Sequence, residues 1–129
     1  MTQGKNKSKR PVFLNLLKIR LPIGGVVSIT HRITGVLLTL FLPVALYFLA
    51  LSLRDEAGFE MVTKTLQQPI ARVFLLLGFW FFIQHLFSGL RHLLMDIDIA
   101  VSMPAARIAA WLVFALSLTM TAWFGVRWL

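Results

Sequence analysis

The sequence predicts an all-α membrane protein with three transmembrane helices, because of its composition, its charge spacing and the lack of polar helix faces. Hydrophobic residues make up 58% of the 129 residues and charged residues only 14%, whereas soluble domains carry about 25% charged residues. Three stretches of 21, 18 and 19 residues contain no Lys, Arg, Asp or Glu. About 20 residues are needed to cross the hydrocarbon core. We therefore expect a single membrane domain over residues 1–129, with spans at about 28–53, 69–95 and 104–128.

Basic residues are distributed unevenly around these spans. Residues 1–21 contain six Lys or Arg and no acidic residue, and we expect this segment to be cytoplasmic and to lie along the membrane interface. Together with residues 22–32 and the second loop, this side carries nine basic residues, and the other side carries four. The positive-inside rule then predicts a multi-pass protein with a cytoplasmic N-terminus and a periplasmic C-terminus. A bacterial inner membrane fits this pattern, and we favour it over the mitochondrial inner membrane.

The same sequence features argue against several classes of protein. The basic segment has no aromatic residue before Phe13 and leads directly into a span, unlike a nucleic-acid-binding tail. The absence of cysteine excludes disulfides, thiolate metal sites and iron–sulfur ligation by this chain. No zinc-type histidine spacing and no nucleophile elbow of a hydrolase occurs. The first apolar run has full span length, so we do not expect a cleaved secretory signal.

The first span is expected to begin with a polar cluster. Pro22 and the pair Gly24 and Gly25 are predicted to break or bend the chain before it. The cluster lies on neighbouring helix faces and consists of Ser28, His31, Arg32 and Gly35. An alternative interpretation is a helix N-cap with an interfacial arginine that faces lipid phosphate. Pro43 predicts a kink near the middle of the span.

The later elements have local start signals. Residues 54–58 are expected to form a turn, followed by a short amphipathic helix that rests on the outer surface, with Phe59, Val62 and Leu66 at a helical spacing. Pro69 suits the first turn of the second span, and Ser102 and Pro104 predict the start of the third span. The third span carries a stripe of small residues that predicts close helix packing: Ser117, Thr121 and Gly125.

The second span carries polar residues at a helical period, and this stripe is the main functional signal. Its members are His85, Ser88, Gly89, His92 and Asp96. Polar groups inside a membrane are costly and usually mark a functional site, although a core histidine bonded to a neighbouring helix is an alternative. We expect His85 to lie about 10 Å deeper than His31 and His92, at 1.5 Å rise per residue. On that estimate, His31 and His85 are poorly placed to hold one metal ion between them.

This arrangement is compatible with a haem site. His85 could bind the iron from one side, Gly89 would leave room for the macrocycle, and the sixth ligand would come from another chain. The propionates would then reach the interface near His31, Arg32, Arg91 and His92. A proton path through His92 and Asp96 is compatible with the same site.

Two motifs resemble the cytochrome b subunit of succinate dehydrogenase. They are Ser28-Ile29-x-His31-Arg32-x-Thr34-Gly35 and His85-x3-Gly89-x-Arg91-His92-x3-Asp96, and the pair Arg10-Pro11 also matches. The resemblance extends from Arg10 to the third span. It implies one of two hydrophobic anchors that together hold haem b. It also implies partners that dock on the cytoplasmic side: an iron–sulfur subunit and a flavoprotein subunit, which carries the succinate chemistry.

The resemblance further implies roles for individual residues. His85 matches the axial haem ligand, and the positions near the propionates are His31, Arg32 and His92. Ser28 and Arg32 match contacts to ubiquinone, while Asp96 matches an acidic position near the same mouth. The implied function is electron transfer from succinate to ubiquinone. A fumarate reductase anchor and a membrane scaffold without a redox role remain as alternatives.

The charge asymmetry makes a testable prediction about topology. A reporter that is active only in the periplasm should give signal when it is fused after Leu129. The same reporter fused in the second loop, near Val101, should be silent, because the nine basic residues hold that side in the cytoplasm. Signal from the loop fusion would contradict the prediction.

Overall fold

The computed structural model describes residues 21–129, which form four α-helices. They are α1 (Ile23–Ser52), α2 (Glu56–Leu66), α3 (Pro69–Asp96) and α4 (Met103–Trp128). Three of them, α1, α3 and α4, are long and apolar enough to cross a membrane. The expectation of an all-α membrane fold with three spans is therefore confirmed. The expected basic interfacial segment lies outside the described residues, except for Leu21.

Helix α1 begins earlier than the sequence predicts. Pro22 occupies the N-cap position in an extended conformation, with φ −63° and ψ 151°. Its carbonyl oxygen accepts hydrogen bonds from the N–H of Gly25 at 2.8 Å and of Val26 at 3.2 Å. The prediction that Gly24 and Gly25 break the chain is wrong, because Pro22 supplies the break and both glycines are helical. The helix then continues through Pro43 to Ser52.

Helix α2 is short and packs against the end of α1. The carboxylate of Asp55 accepts a hydrogen bond from the N–H of Gly58 at 2.6 Å, which caps the first turn. The helix therefore starts at Glu56, and the prediction of a turn over residues 54–58 is wrong for its second half. Val62 is buried, whereas Phe59 is 61% exposed. Val62 therefore faces the neighbouring helices, and Phe59 faces outward.

Helices α3 and α4 are antiparallel neighbours. Pro69 and Pro104 lie in their first turns, where the missing N–H leaves no helical hydrogen bond unmade. In the loop between the helices, Asp98 and Ala100 adopt left-handed backbone conformations, with φ of 61° and 60°. At the opposite end, Nη1 of Arg72 donates a hydrogen bond to the carbonyl oxygen of Leu129. The start of α3 therefore lies beside the end of α4.

The interior of the bundle is small and largely polar. Its apolar core contains Val27, Ala110 and Val113. The buried polar side chains are Thr34, Gln84, Ser88, Arg91, Ser117 and Thr121. Large apolar side chains face outward instead, for example Leu40 at 66% and Trp111 at 63% exposure. This inverted distribution suits a lipid environment, where association of helices depends on packing and polar contacts rather than on the hydrophobic effect.

Small and polar residues join α3 to α4. The hydroxyl of Ser117 donates a hydrogen bond to Oε1 of Gln84 at 2.5 Å, and both side chains are fully buried. Thr121 is buried one turn further along α4. A Cβ on Gly125 would lie 3.1 Å from Cδ1 of Leu76, so the helices approach closely there. The predicted packing role of the small-residue stripe is confirmed, and Gln84 is its unforeseen partner.

The bond between Ser117 and Gln84 makes a prediction about stability. Ser117→Ala should lower the free energy of unfolding of the assembled complex by about 0.6–1.7 kcal/mol, the range for hydrogen bonds between membrane helices. The double variant Ser117→Ala, Gln84→Leu should recover part of that loss, because it no longer buries an unpaired amide oxygen.

Thermal unfolding of the purified complex would measure both effects. Ser52→Ala is the matched control, since among the described residues the Ser52 hydroxyl bonds only to the Leu49 carbonyl of its own helix, at 2.8 Å. Equal unfolding temperatures for Ser117→Ala and Ser52→Ala would contradict the proposed contribution.

Candidate functional site

Three histidines from α1 and α3 form a stack of imidazole rings. The ring of His31 lies between those of His85 and His92, with centroid distances of 4.1 Å and 5.2 Å and interplanar angles of 24° and 23°. All three side chains are half-buried. The two motifs singled out in the sequence therefore meet at one place, between the first half of α1 and the second half of α3.

The stack corrects the expected depth of these histidines. We expected His85 to lie about 10 Å deeper than His31, at 1.5 Å per residue, but their rings are in contact. The reason is the earlier start of α1. His31 is eight residues from the start of α1, whereas His92 and His85 are four and eleven residues from the end of α3. His31 therefore lies at a level between the other two.

Hydrogen bonds fix the tautomer of His85. Its Nδ1 lies 3.0 Å from the carbonyl oxygen of His31 and 3.4 Å from Oγ1 of Thr34. A carbonyl oxygen can only accept, so Nδ1 must carry the proton. In the neutral ring, Nε2 then holds the lone pair. This arrangement, with Nδ1 bonded and Nε2 unprotonated, is the one that metal-ligating histidines adopt in many proteins.

His92 has the same tautomer but a different partner. Its Nδ1 donates to the carbonyl oxygen of Ser88 at 2.6 Å, and its Nε2 lies 3.2 Å from Oγ of Ser28. Since Nδ1 carries the proton, Nε2 accepts, and the hydroxyl of Ser28 is the donor. In His92, Nε2 therefore accepts a hydrogen bond from a hydroxyl. In His85, the hydrogen bonds made within residues 21–129 all involve Nδ1.

Ser28 thus hydrogen-bonds to the histidine group, whereas Arg32 and Asp96 make no side-chain hydrogen bond within residues 21–129. Both charged side chains are exposed. Within residues 21–129 the ion pairs join Arg54 to Asp55 and Lys64 to Glu60, and neither involves Arg32 or Asp96. Asp96 is the last residue of α3. The structure therefore brings four of the six predicted site residues into one hydrogen-bonded and stacked group.

Arg91 has an unusual position for a charged residue. It is only 7% exposed, and its Nε has no hydrogen-bond partner among residues 21–129. Its Nη2 lies 3.4 Å from the carbonyl oxygen of Ala106 in α4 and 3.3 Å from where a Cβ on Gly24 would be. The guanidinium therefore fills the junction of α1, α3 and α4. The expectation that it lies among the groups around haem propionates stays a prediction.

Sequence reasoning missed the roles of three residues in or beside the site. Thr34 and Gly35 were visible as motif members, but their contact with His85 depends on the register between α1 and α3. Gln84 is fully buried, and its Nε2 donates to Oγ of Ser88 at 3.3 Å. The signal that could have found Gln84 is its amide group inside an otherwise apolar run of α3.

The donor chemistry of the site suits a cofactor that brings its own ligands. Among residues 21–129, no group of three or more His, Cys, Asp or Glu side chains comes together to hold a metal ion. A tetrahedral zinc site needs such a group. A haem iron needs only axial ligands from protein, and a neutral imidazole with its Nδ1 bonded to a carbonyl supplies one.

Comparison with known proteins agrees with the motif resemblance. Residues 6–124 match the family described as succinate dehydrogenase/fumarate reductase transmembrane subunit. A succinate dehydrogenase cytochrome b556 subunit of Coxiella burnetii is 36% identical over 123 residues, covering 92% of this chain and 96% of that protein. A cytochrome b556 subunit of Rickettsia felis is 32% identical over 127 residues, covering 95% and 99%.

A relative with a differently named cytochrome gives the same result. The succinate dehydrogenase cytochrome b560 subunit of Reclinomonas americana is 33% identical over 122 residues, covering 88% of this chain and 84% of that protein. Residues 6–124, which match the family, contain both motifs. The chain therefore belongs to the family of succinate dehydrogenase and fumarate reductase transmembrane subunits.

Proposed function

We propose that this chain is the cytochrome b anchor of a succinate dehydrogenase, respiratory complex II, which binds haem b and contributes to the site of ubiquinone reduction. The observation that carries the proposal is the hydrogen bond from Nδ1 of His85 to the carbonyl oxygen of His31, at 3.0 Å. It leaves the Nε2 lone pair of a half-buried imidazole for an iron ligand. The names of the relatives, cytochrome b556 and b560, support a haem role.

His85 is the proposed axial ligand, and the polar groups near it are suited to the haem propionates. His31 and His92 stack beside His85, and Arg32 presents an exposed guanidinium from the same helix as His31. Arginine binds carboxylates through two parallel hydrogen bonds. When bound, haem b supplies a one-electron redox centre, and the chain's own contribution is its ligand and surroundings. A second hydrophobic anchor subunit would supply the sixth ligand.

Ser28 and Arg32 are the proposed contacts to ubiquinone. The two residues are four apart on α1, so their side chains lie on the same side of the helix. Arg32 offers a fixed positive charge that favours a reduced, anionic quinone oxygen. The hydroxyl of Ser28 donates to Nε2 of His92, and to donate to a quinone carbonyl it would rotate away from that nitrogen. His92 would therefore have two roles: it contacts Ser28 at the proposed quinone site, and it belongs to the same histidine stack as His85. Asp96, at the end of α3, is the least constrained member of this site.

The proposed partners and location follow from the proposed function and from the distribution of basic residues. The flavoprotein and iron–sulfur subunits would oxidise succinate and deliver electrons, so the catalytic centre for succinate lies outside this chain. They would dock on the cytoplasmic side, where the nine basic residues lie. The protein would be a multi-pass component of a bacterial inner membrane, with residues 1–129 forming one anchor domain.

A fumarate reductase anchor is the second candidate, because the matching family includes both enzymes by its description. The two candidates differ in the direction of turnover, which depends on the soluble subunits and on the potential of the quinone. Comparing succinate:ubiquinone with quinol:fumarate activity of the purified complex separates them. The more rapid direction with the native quinone identifies the enzyme.

The first prediction from this proposal concerns His85. His85→Leu should abolish or shift the haem b bands in a reduced-minus-oxidised visible spectrum, because it removes an axial ligand. His31→Leu and His92→Leu are matched controls that keep the ligand, so their spectra should retain the axial bond.

An unchanged spectrum in an assembled His85→Leu complex would refute the assignment. Absence of any haem band in the native complex would favour the scaffold alternative instead.

The second prediction separates the quinone contacts from the haem. Ser28→Ala and Arg32→Leu should lower ubiquinone reduction roughly tenfold to a hundredfold if each loses one charge-assisted hydrogen bond, worth about 1.5–3 kcal/mol, in the rate-limiting step. Succinate oxidation with a soluble artificial acceptor should be almost unchanged. Arg32→Lys should restore only part of the rate, because an ammonium lacks the planar fork of a guanidinium.

Arg107→Leu is the control for loss of a cation, since Arg107 is an exposed arginine of α4 outside the histidine group. Normal ubiquinone reduction by an intact Ser28→Ala, Arg32→Leu double variant would rule out the quinone role.

A further inference from the structure

We propose that Thr34 and Gly35 form a seat on α1 that positions the imidazole of His85 and sets the electron density at its Nε2. The inference rests on the proposed role of His85 as a haem ligand and extends it to two positioning residues on the facing helix. Gly35 gives His85 access to a backbone carbonyl, and Thr34 adds a second acceptor at Nδ1. Neither residue would touch the iron.

The space above Gly35 is filled by the imidazole. A Cβ at this position would lie 2.9 Å from Cε1 of His85, 3.4 Å from Nδ1 and 4.0 Å from Nε2. A contact of 2.9 Å is shorter than Cβ atoms tolerate, so any other residue would displace the ring. The ring cannot easily retreat, because the imidazole of His31 is stacked on it at a centroid distance of 4.1 Å.

Gly35 also exposes the carbonyl that fixes the tautomer. In a continuous helix, the carbonyl oxygen of His31 accepts the N–H of Gly35, four residues later. A second lone pair of that oxygen remains available. The side chain of a helical residue covers the turn that precedes it, so a side chain at position 35 would cover this lone pair. With glycine there, Nδ1 of His85 reaches the oxygen at 3.0 Å.

Thr34 supplies the side-chain acceptor of the seat. Its side chain is 1% exposed, and its hydroxyl lies 2.8 Å from the carbonyl oxygen of Thr30 and 3.0 Å from that of His31. The single hydroxyl proton is donated to the nearer carbonyl, that of Thr30, so the hydroxyl oxygen presents lone pairs to Nδ1 of His85, 3.4 Å away. The N–H of His85 therefore points between two acceptors.

This arrangement has an electronic consequence for a bound metal. Acceptors at the distal N–H of a ligating histidine raise the basicity of the ligating nitrogen. A more basic ligating nitrogen stabilises the oxidised iron. Hydrogen bonds to the axial ligand are one means by which proteins adjust haem potential. Thr34 should therefore lower the midpoint potential of the haem, while Gly35 should be needed to hold the imidazole in its binding orientation.

The test uses the intact complex and measures the haem midpoint potential and visible spectrum. Thr34→Val keeps the shape of the side chain and should shift the potential upward, and Thr34→Ser should restore it. Thr39→Val is the matched control on the same helix, because within the described part of the chain the hydroxyl of Thr39 bonds only to the Gly35 carbonyl, at 2.9 Å. Its potential should equal that of the native complex.

Gly35→Ala should lose haem or change its visible spectrum, because the methyl group displaces His85. Gly78→Ala is its control, since a Cβ there crowds Phe41 at 3.1 Å in the same α1–α3 contact and does not touch the histidine. It should keep the native spectrum.

The outcomes separate this inference from the function on which it rests. If His85→Leu loses the haem spectrum while Thr34→Val matches Thr39→Val in potential, the seat is refuted and the ligand assignment stands. A native spectrum in Gly35→Ala would likewise refute the seat. If His85→Leu keeps the native spectrum, the ligand assignment itself fails. Should Gly35→Ala prevent assembly, the two Thr34 variants decide the question.

Discussion

The hydrogen bond between Nδ1 of His85 and the carbonyl oxygen of His31 is the contact on which the chemistry of the site depends. In lipid there is no water to satisfy a polar group, so each one must find a partner within the protein. This bond satisfies the N–H of His85, connects α3 to α1, and leaves the lone pair on the opposite nitrogen. The other tautomer would lose the bond and place a proton where a metal ligand needs electrons.

Helix α3 makes one set of polar contacts with α4 and another with α1, and Ser88 belongs to both sets. Its hydroxyl accepts from Gln84, which binds Ser117 of α4. Its carbonyl accepts from His92, which binds Ser28 of α1. A helix rotates by about 100° per residue, so turning α3 by one position would break both sets together. The contacts that pack the bundle therefore also fix the orientation of the site.

The sequence was sufficient for the fold class and for the membership of the site, but not for its internal geometry. Pro69 marks the start of α3, and Ser102 with Pro104 marks the start of α4, because the effects of these residues are local. The predicted depth of His31 is wrong because Gly24 and Gly25 predict a break ahead of the first span, whereas both lie inside α1 and the break is at Pro22. The tautomer of His85 and the fit of Gly35 against it depend on the register of two helices, which no local pattern encodes.

Gly58 constrains how this family member can vary. It lies in α2 against the backbone carbonyl of Leu51, where a Cβ has no room. A backbone oxygen inside α1 cannot swing aside as a flexible side chain can. Every other amino acid begins with the same Cβ, so alanine meets the same obstacle there as a larger residue does. Tolerance to substitution should thus be all-or-none at Gly58, whereas at nearby Val62, which is buried through its side chain, it should be graded by volume.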